Sequence, residues 1–406
     1  MPKEPIIVAN GKIKTLTAEG DFTGSILIKD SKIAKIVKHD LLGEDLDTAS
    51  LLELMGLSLA AEVKIINATG KWVLPGFIDA HCHVGLGEEI YQYEGDDLNE
   101  MTDPLTPELR AIDGINPEDE GFRDARLGGV TAVFTCPGSA NVVGGTGVVV
   151  KTSGRVLEEM IVREPAGLKV ALGENPKTVY GEQKKMPMTR MGTAALLRQA
   201  LVDGQNYQEK LEMGKKDQDK LPERDLGLDI IKLVLEKKIP LHAHAHRADD
   251  IMTAIRIARE FGVDLVLTHC TEGHKIADIL SGYGYPAVVG PSLINRSKVE
   301  LKDKTFETPG VLARAGVKVA IMTDHSVTPI EYLPLCAALA VRNGMKEEDA
   351  LKAITIWPAE ILGVAERIGS LAEGKDADIV VWDGKPLSFS ASAEVVIING
   401  QIVKPE

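Results

Sequence analysis

The sequence predicts an α/β fold: a (β/α)8 TIM barrel carrying a small discontinuous β-sandwich made by both chain ends. Three observations predict it. Short apolar strands alternate with helical stretches through residues 74–366, the texture of a parallel barrel. The flanking residues 1–73 and 367–406 share a different texture, of alternating strands and tight turns. Metal-compatible side chains recur where the middle strands end, the edge at which a barrel keeps its site. At 406 residues the chain exceeds the size at which one hydrophobic core usually stops growing, so two units are expected.

The ends come first. IIVANGKI, GSILIKDSKIAKIVK and AEVKIINATGKWVL alternate apolar and polar residues around Asn-Gly, Lys-Asp-Ser and Thr-Gly turns. Residues 40–60 between them read as a helical insertion. ADIVVWD and AEVVIINGQIV restore the strand pattern near the C-terminus. In the middle, the predicted strands are VLPGFIDAHCHV, GVTAVFTCPG, GVVVKTSG, GLKVALGEN, IPLHAHAH, VDLVLTHC, YPAVVGPS and VKVAIMTD. Helical patterns such as MGTAALLRQALVDG, DLGLDIIKLVLEKK, ADDIMTAIRIAREFG and TPGVLARAG separate several of them. The stretch between the second and fourth strands is poor in helix. GSANVVGGTGVVV within it lacks the spacing of either phosphate-binding glycine motif and is expected to be a flexible active-site loop.

Composition excludes several classes. Apolar residues at 44% and charged residues at 26% rule out a wholly disordered chain. Lysine and arginine number 46 against 60 acids, a net charge of −14 that argues against nucleic-acid and anionic-membrane partners. A small-molecule substrate and a homo-oligomer are the expected partners. Four scattered cysteines and a first stretch without signal-peptide pattern lead us to expect a reduced, cytoplasmic protein.

Eight of the nine histidines fall in four short segments: His81 and His83; His242, His244 and His246; His269 and His274; His325. Such clustering is a metal-site signal. His81 and His83 lie two apart on one strand, as do the members of the second group, so each set faces one side. His269 and Asp324 each end a strand. In GLKVALGEN, Leu168, Val170 and Leu172 have the parity of helix-facing residues, which turns Lys169 inward. A bare ammonium there is costly. Glu174 has the opposite parity, but a bend at Gly173 could turn it to the centre. Arg190, Arg247, Asn295 and Arg296 follow strands and could receive a substrate carboxylate. His274 is expected to be exposed.

PGFIDAHCHVG, LHAHAHR, LVLTHC and IMTDHS, in that order, resemble the first-, fifth-, sixth- and eighth-strand signatures of the amidohydrolase superfamily, and GSLAEGKDADIVVWD resembles its return to the β-sandwich. The match covers nearly the whole chain, and the nearest subgroup is imidazolonepropionase-like and prolidase-like. The resemblance implies a distorted barrel and a metal-dependent hydrolase of a C–N bond: amide, peptide-like or cyclic amide. His81, His83 and Asp324 would hold one divalent cation and His244 and His269 a second, although a slip of two residues along the fifth strand keeps parity and leaves open which of its histidines is the ligand. Lys169, carboxylated, or Glu174 would bridge them, and His246 would contact substrate. Zinc is the expected ion, although manganese, iron or cobalt suit such ligands, and one ion or two remain open. A metal-bound hydroxide would attack, with Asp324 as general acid and base. Ring deamination is the alternative, disfavoured because no acid follows His244 until Asp249. The non-enzymatic alternative is a metal-free binding scaffold that kept the fold.

Overall fold

The computed structural model describes residues 4–39, 47–60, 62–90 and 92–404. The expected insertion at 40–60 therefore lies partly outside the described residues. Within them, Thr48–Met55 is a helix whose N-cap Asp47 accepts from the Ser50 amide.

Both chain ends contribute to one sheet. Its strands lie in the order Gln401–Lys404, Ala393–Ile398, Ile379–Trp382, Trp72–Pro75, Ile6–Lys14, Asp21–Lys29, Lys32–Lys38, with Lys64–Asn67 also paired to Ile6–Lys14. The two-residue period decides what each face covers. Ile6, Val8, Ile26, Ile28, Ile379 and Ile397 form one buried cluster drawn from both ends. Ile7, Ala9 and Leu27, on the opposite face, pack against Leu51, Leu52 and Met55 of the helix. Leu74, Val380, Trp382 and Val396 instead join a cluster with Phe77, Val130 and Val150 of the barrel.

The second sheet is the barrel. Its strands are β1 (Phe77–Cys82), β2 (Val130–Thr135), β3 (Val143–Lys151), β4 (Ile161–Ala171), β5 (Leu241–Ala245), β6 (Leu265–His269), β7 (Ala287–Val289) and β8 (Val319–Ile321), adjacent in sequence order. Each predicted barrel strand coincides with one of them. Leu168 and Val170 of β4, Leu241 and Ala243 of β5, and Leu265 and Leu267 of β6 pack outward, with Leu197, Ile231 and Ile255 of the surrounding helices. Those helices, Arg190–Gly214, Leu226–Leu235 and Ala248–Phe261, fall where the 3.6-residue pattern puts them. Ala132, Phe134, Val266, Val288 and Ala320 fill the interior, together with Ala359, Leu362 and Ile368.

Two features depart from a regular barrel. β3 runs antiparallel to both β2 and β4. A parallel crossover needs a dozen or more residues, usually with a helix, whereas the links at 136–142 and 152–160 hold only the short helix Leu157–Met160. Gly144, Gly145 and Gly147, expected in a flexible loop, are therefore strand residues, a correction with a steric reason, while Gly138 lies in the link before the strand. A Cβ on Gly147 would lie 2.5 Å from the Phe134 ring, and one on Gly145 would lie 2.5 Å from the Leu109 carbonyl oxygen. The second departure is the seam between β1 and β8. There Ile78 and Ile321 donate to the carbonyls of Ile354 and Ala353, wedged between the strands. Toward the C-terminal edge the seam closes through Asp324 N–H to His81 O at 3.2 Å and His83 N–H to His325 O at 2.8 Å.

Lys151, at the end of β3, ties the barrel to the other sheet. Its buried ammonium pairs with Asp378 and, at 3.2 Å, with Asp376. Removing one partner of a buried ion pair strands the other, at a cost of about 3–5 kcal/mol. Lys151→Ala is expected to lower stability by that order in denaturant unfolding. A change below about 1 kcal/mol, the scale of an exposed pair, would show that the pair does not hold the two sheets together.

Candidate metal centre

The expected site residues converge at the C-terminal edge of the barrel, and local backbone irregularities make this happen. β1 shifts register against β2 between Asp79 and Cys82. Ile78, ahead of this irregularity, and Ala80, within it, join the interior cluster. His81, within the irregularity, and His83, just past it, each place Nε2 3.3 Å from Asp324 Oδ1. On β6, strict alternation would send His269 outward after Leu265 and Leu267. A left-handed backbone, φ 74° at His269, turns it inward, and Asp324 is also left-handed at φ 55°. Non-glycine residues in this region are strained, and such strain clusters at functional sites.

The buried side chains form two overlapping groups: His81, His269 and Asp324; and His244, His246 and His269. Within each, one ligand atom per residue lies within 4.8 Å of the others. Hydrogen bonds fix which ring nitrogen faces the centre. His83 Nδ1 lies 2.8 Å from Cys136 O, and His269 Nδ1 lies 2.9 Å from Gly290 O. A carbonyl only accepts, so Nδ1 carries the proton and Nε2 presents a lone pair inward. His246 Nδ1 is bonded to the Thr271 hydroxyl at 2.7 Å. Burial, with neighbouring positive groups second, pushes His81, His244 and His246 well below the usual imidazole range. His269 is pushed down to about 4, chiefly by burial. Burial also pushes the Asp324 carboxyl upward, but the neighbouring imidazoles, His269 first and then His81 and His83, outweigh it and hold the carboxyl well below its ordinary value. Neutral imidazoles beside an ionised carboxylate are the ligand forms a divalent cation requires.

The residues fit a metal on a further observation. Nε2 of His244, His246 and His269 are buried with no hydrogen-bond partner among the described residues. Unpaired buried polar atoms are costly. A cation at their convergence would satisfy all three.

Solved structures and curated proteins then place the chain. It is 46% identical to the crystal structure of an amidohydrolase from Thermotoga maritima MSB8, covering 99% of this chain and 100% of that one with a TM-score of 0.90. The chain belongs to the amidohydrolase family. The model of the amidohydrolase family matches residues 204–403. Amidohydrolase tasK of Hapsidospora irregularis is 29% identical over 83% of this chain, which spans only 37% of that longer protein. An imidazolonepropionase of Flavobacterium johnsoniae is 23% identical over 91% of both chains.

In this amidohydrolase, Lys169 points inward as its parity predicts. Its fully buried Nζ lies 3.2 Å from His81 Nε2 and 4.0 Å from Cys136 Sγ, and no described carboxylate forms an ion pair with it. Glu174 joins neither group. It opens the helix Glu174–Glu182, where its Oε2 accepts from the Glu300 amide at 3.4 Å. The bend at Gly173, φ 90°, starts this helix and delivers a backbone N–H rather than a carboxylate, because Glu174 N–H donates to Glu300 Oε2 at 3.0 Å.

The other candidates fall away from the centre. His242 lies deeper, stacked on Phe134 at 4.4 Å. His325 Nε2 meets Glu89 at 3.0 Å. His274 is half-buried rather than exposed, bonded to Thr308 Oγ1 at 3.0 Å. Arg190 is engaged with Asp250, Arg247 with Asp249, and Arg296 with the carbonyls of Lys302 and Lys304, while Asn295 is exposed.

Glu300 escaped sequence reasoning. Its carboxylate, 1% exposed, lies 3.7 Å from His244 Nε2 and 3.6 Å from His246 Nε2, and pairs with Lys298 at 2.7 Å. It follows no strand and sits in the polar run NRSKVELKDK, so neither periodicity nor a motif marks it.

A ligand that binds only the folded state stabilises it by about 2.7 kcal/mol at a hundredfold excess over its Kd. Protein stripped with a chelator and then given zinc, manganese or cobalt is expected to melt higher by a correspondingly large margin. Indifference to all three ions would show that these side chains do not form a metal centre.

Proposed function

We propose that this amidohydrolase cleaves a C–N bond of a small molecule, an amide, peptide-like or cyclic amide, with divalent-metal assistance and Asp324 as general acid and base. The convergence of ionised Asp324 with neutral, inward-facing imidazoles carries the reading. A bound divalent cation supplies Lewis-acid polarisation of the carbonyl and acidifies water. His81, His83, His244, His269 and Asp324 would hold it, and zinc suits that donor set.

The protein's own groups do the remaining work. Asp324 offers one carboxylate oxygen toward His81 and His83, leaving the other to take a proton from the attacking water. The same carboxyl then returns that proton to the departing nitrogen, which leaves poorly until protonated. Carboxylation of Lys169 would replace its buried ammonium with an anionic carbamate beside His81 and give the centre two more oxygens. The lack of a carboxylate partner for that ammonium among the described residues supports this assignment. A cleft of about 930 Å³, lined in part by Pro137, Gly138 and Gly144, offers a small molecule an approach. Gly144 separates this cleft from Lys169: a Cβ added there would lie 3.8 Å from Lys169 Cγ, and none of the candidate ligands lines the cleft.

Metal-loaded protein should be profiled against N-acyl amino acids, dipeptides, and cyclic imides or lactams, with ammonia release followed to detect deamination. Hydrolysis in one of these classes is expected. Ammonia release alone, from nitrogen rings, would replace this reading with deamination. Asp324→Asn is expected to lower turnover by about 10²–10⁴-fold, the usual worth of acid–base assistance, with the fold intact by circular dichroism. Near-normal turnover would place the base elsewhere. Lys169→Ala is expected to lose activity and regain part of it with added short carboxylic acids. An unmodified Lys169 whose replacement leaves activity intact contradicts the carbamate.

A further inference from the structure

We infer that Glu300 and His246 are metal ligands, completing with His244 and His269 a second cation site distinct from the one around Asp324. The inference rests on the metal-dependent reading above and extends it to Glu300, which no strand signature marks, and to His246 as a ligand beside His244 rather than in its place.

The argument is geometric. Ligand atoms about 2.0–2.2 Å from a tetrahedral ion lie roughly 3.3–3.6 Å apart along the edges of the tetrahedron. Glu300 Oε1 lies 3.7 Å from His244 Nε2 and 3.6 Å from His246 Nε2. His244, His246 and His269 present their nitrogens within 4.8 Å of one another. The rings are packed, with centroids 4.2 Å apart for His244–His269, 4.4 Å for His246–His269 and 4.6 Å for His244–His246. All three Nε2 atoms are buried and unpartnered among the described residues.

The surroundings fix this arrangement in advance. Thr271 holds the far nitrogen of His246, and Gly290 O holds that of His269. Glu300 Oε2 accepts from the Glu174 amide at 3.0 Å, which leaves Oε1 facing the imidazoles. A ligand so oriented by a second partner is the usual construction of a metal site. Lys298 contacts the same Oε1 at 2.7 Å and is held by Asn175 at 2.9 Å. Its ammonium supplies at that oxygen the positive charge that a cation would supply.

The test is cobalt titration of the chelator-stripped full chain, read by visible absorption and by bound metal per chain. Wild type is expected to bind two ions. Glu300→Gln and His246→Gln are each expected to weaken one of them at least tenfold, with a changed cobalt spectrum, while the other ion stays. Asp324→Asn should weaken the complementary ion. Lys298→Met, which frees Oε1, is expected to tighten the ion that Glu300→Gln weakens. Circular dichroism of the metal-free variants checks that each folds, and if a glutamine variant does not, the Lys298→Met result decides. Wild-type affinity for both ions in Glu300→Gln and His246→Gln, or unchanged or weaker binding in Lys298→Met, overturns the inference and leaves the metal-dependent reading standing. Wild-type protein that binds no ion overturns both.

Discussion

At the mouth of the barrel, acceptor faces acceptor. Carbonyls of Cys136 and Gly290 take the Nδ1 protons of His83 and His269, so their Nε2 lone pairs turn inward beside an ionised Asp324 carboxylate. Among the described residues, the buried ammonium of Lys169 reaches His81 Nε2 at 3.2 Å and Cys136 Sγ at 4.0 Å. Burial makes this costly, because unpaired polar groups in a low dielectric lose water without compensation. Only a positive charge at the centre turns mutual repulsion into coordination. The bulge in β1 and the left-handed residues at the ends of β6 and β8 are local costs that place these side chains.

The barrel is built to carry that strain. Its seam is neither an ordinary parallel pair nor an open edge. Ala353 and Ile354 fill it below, while Asp324 and His83 take part in the hydrogen bonds that close it above. Asp79 reinforces it by accepting from the Thr323 hydroxyl at 2.5 Å and the Thr323 amide at 3.0 Å. The candidate ligands His81, His83 and Asp324, at the ends of the first and last strands, are therefore fixed relative to each other by the same bonds that close the barrel. At the opposite end of β3, Lys151 joins the barrel to the sheet made by the chain termini, through acids from the segment that returns to that sheet.

Much of this was legible in the sequence, and the reasons are particular. Period-two alternation put Lys169, His242 and His244 inside because β4 and β5 stay regular through those positions. It could not have turned His269 inward, since that depends on one left-handed residue; there the family signature, not the parity, supplied the assignment. The direction of β3 was hidden because an antiparallel strand and a parallel one share the same apolar run, and its glycines imitate a loop until Phe134 is seen against Gly147. Glu174 was a candidate on a correct premise, the bend at Gly173, but that bend starts a helix and presents an amide. Glu300 left no trace, because a lone acid in a charged run resembles solvated surface, and only tertiary structure buries it against two imidazoles.

The central claim is that these converging side chains bind metal in order to act. Diffraction from crystals of zinc-reconstituted protein, recorded at the zinc absorption edge, tests it most directly. The account predicts anomalous density within about 2.0–2.2 Å of His Nε2 and carboxylate oxygens at the barrel mouth. Fully occupied zinc found only on the protein surface, with the imidazoles of His81, His83, His244 and His269 unliganded, would contradict it.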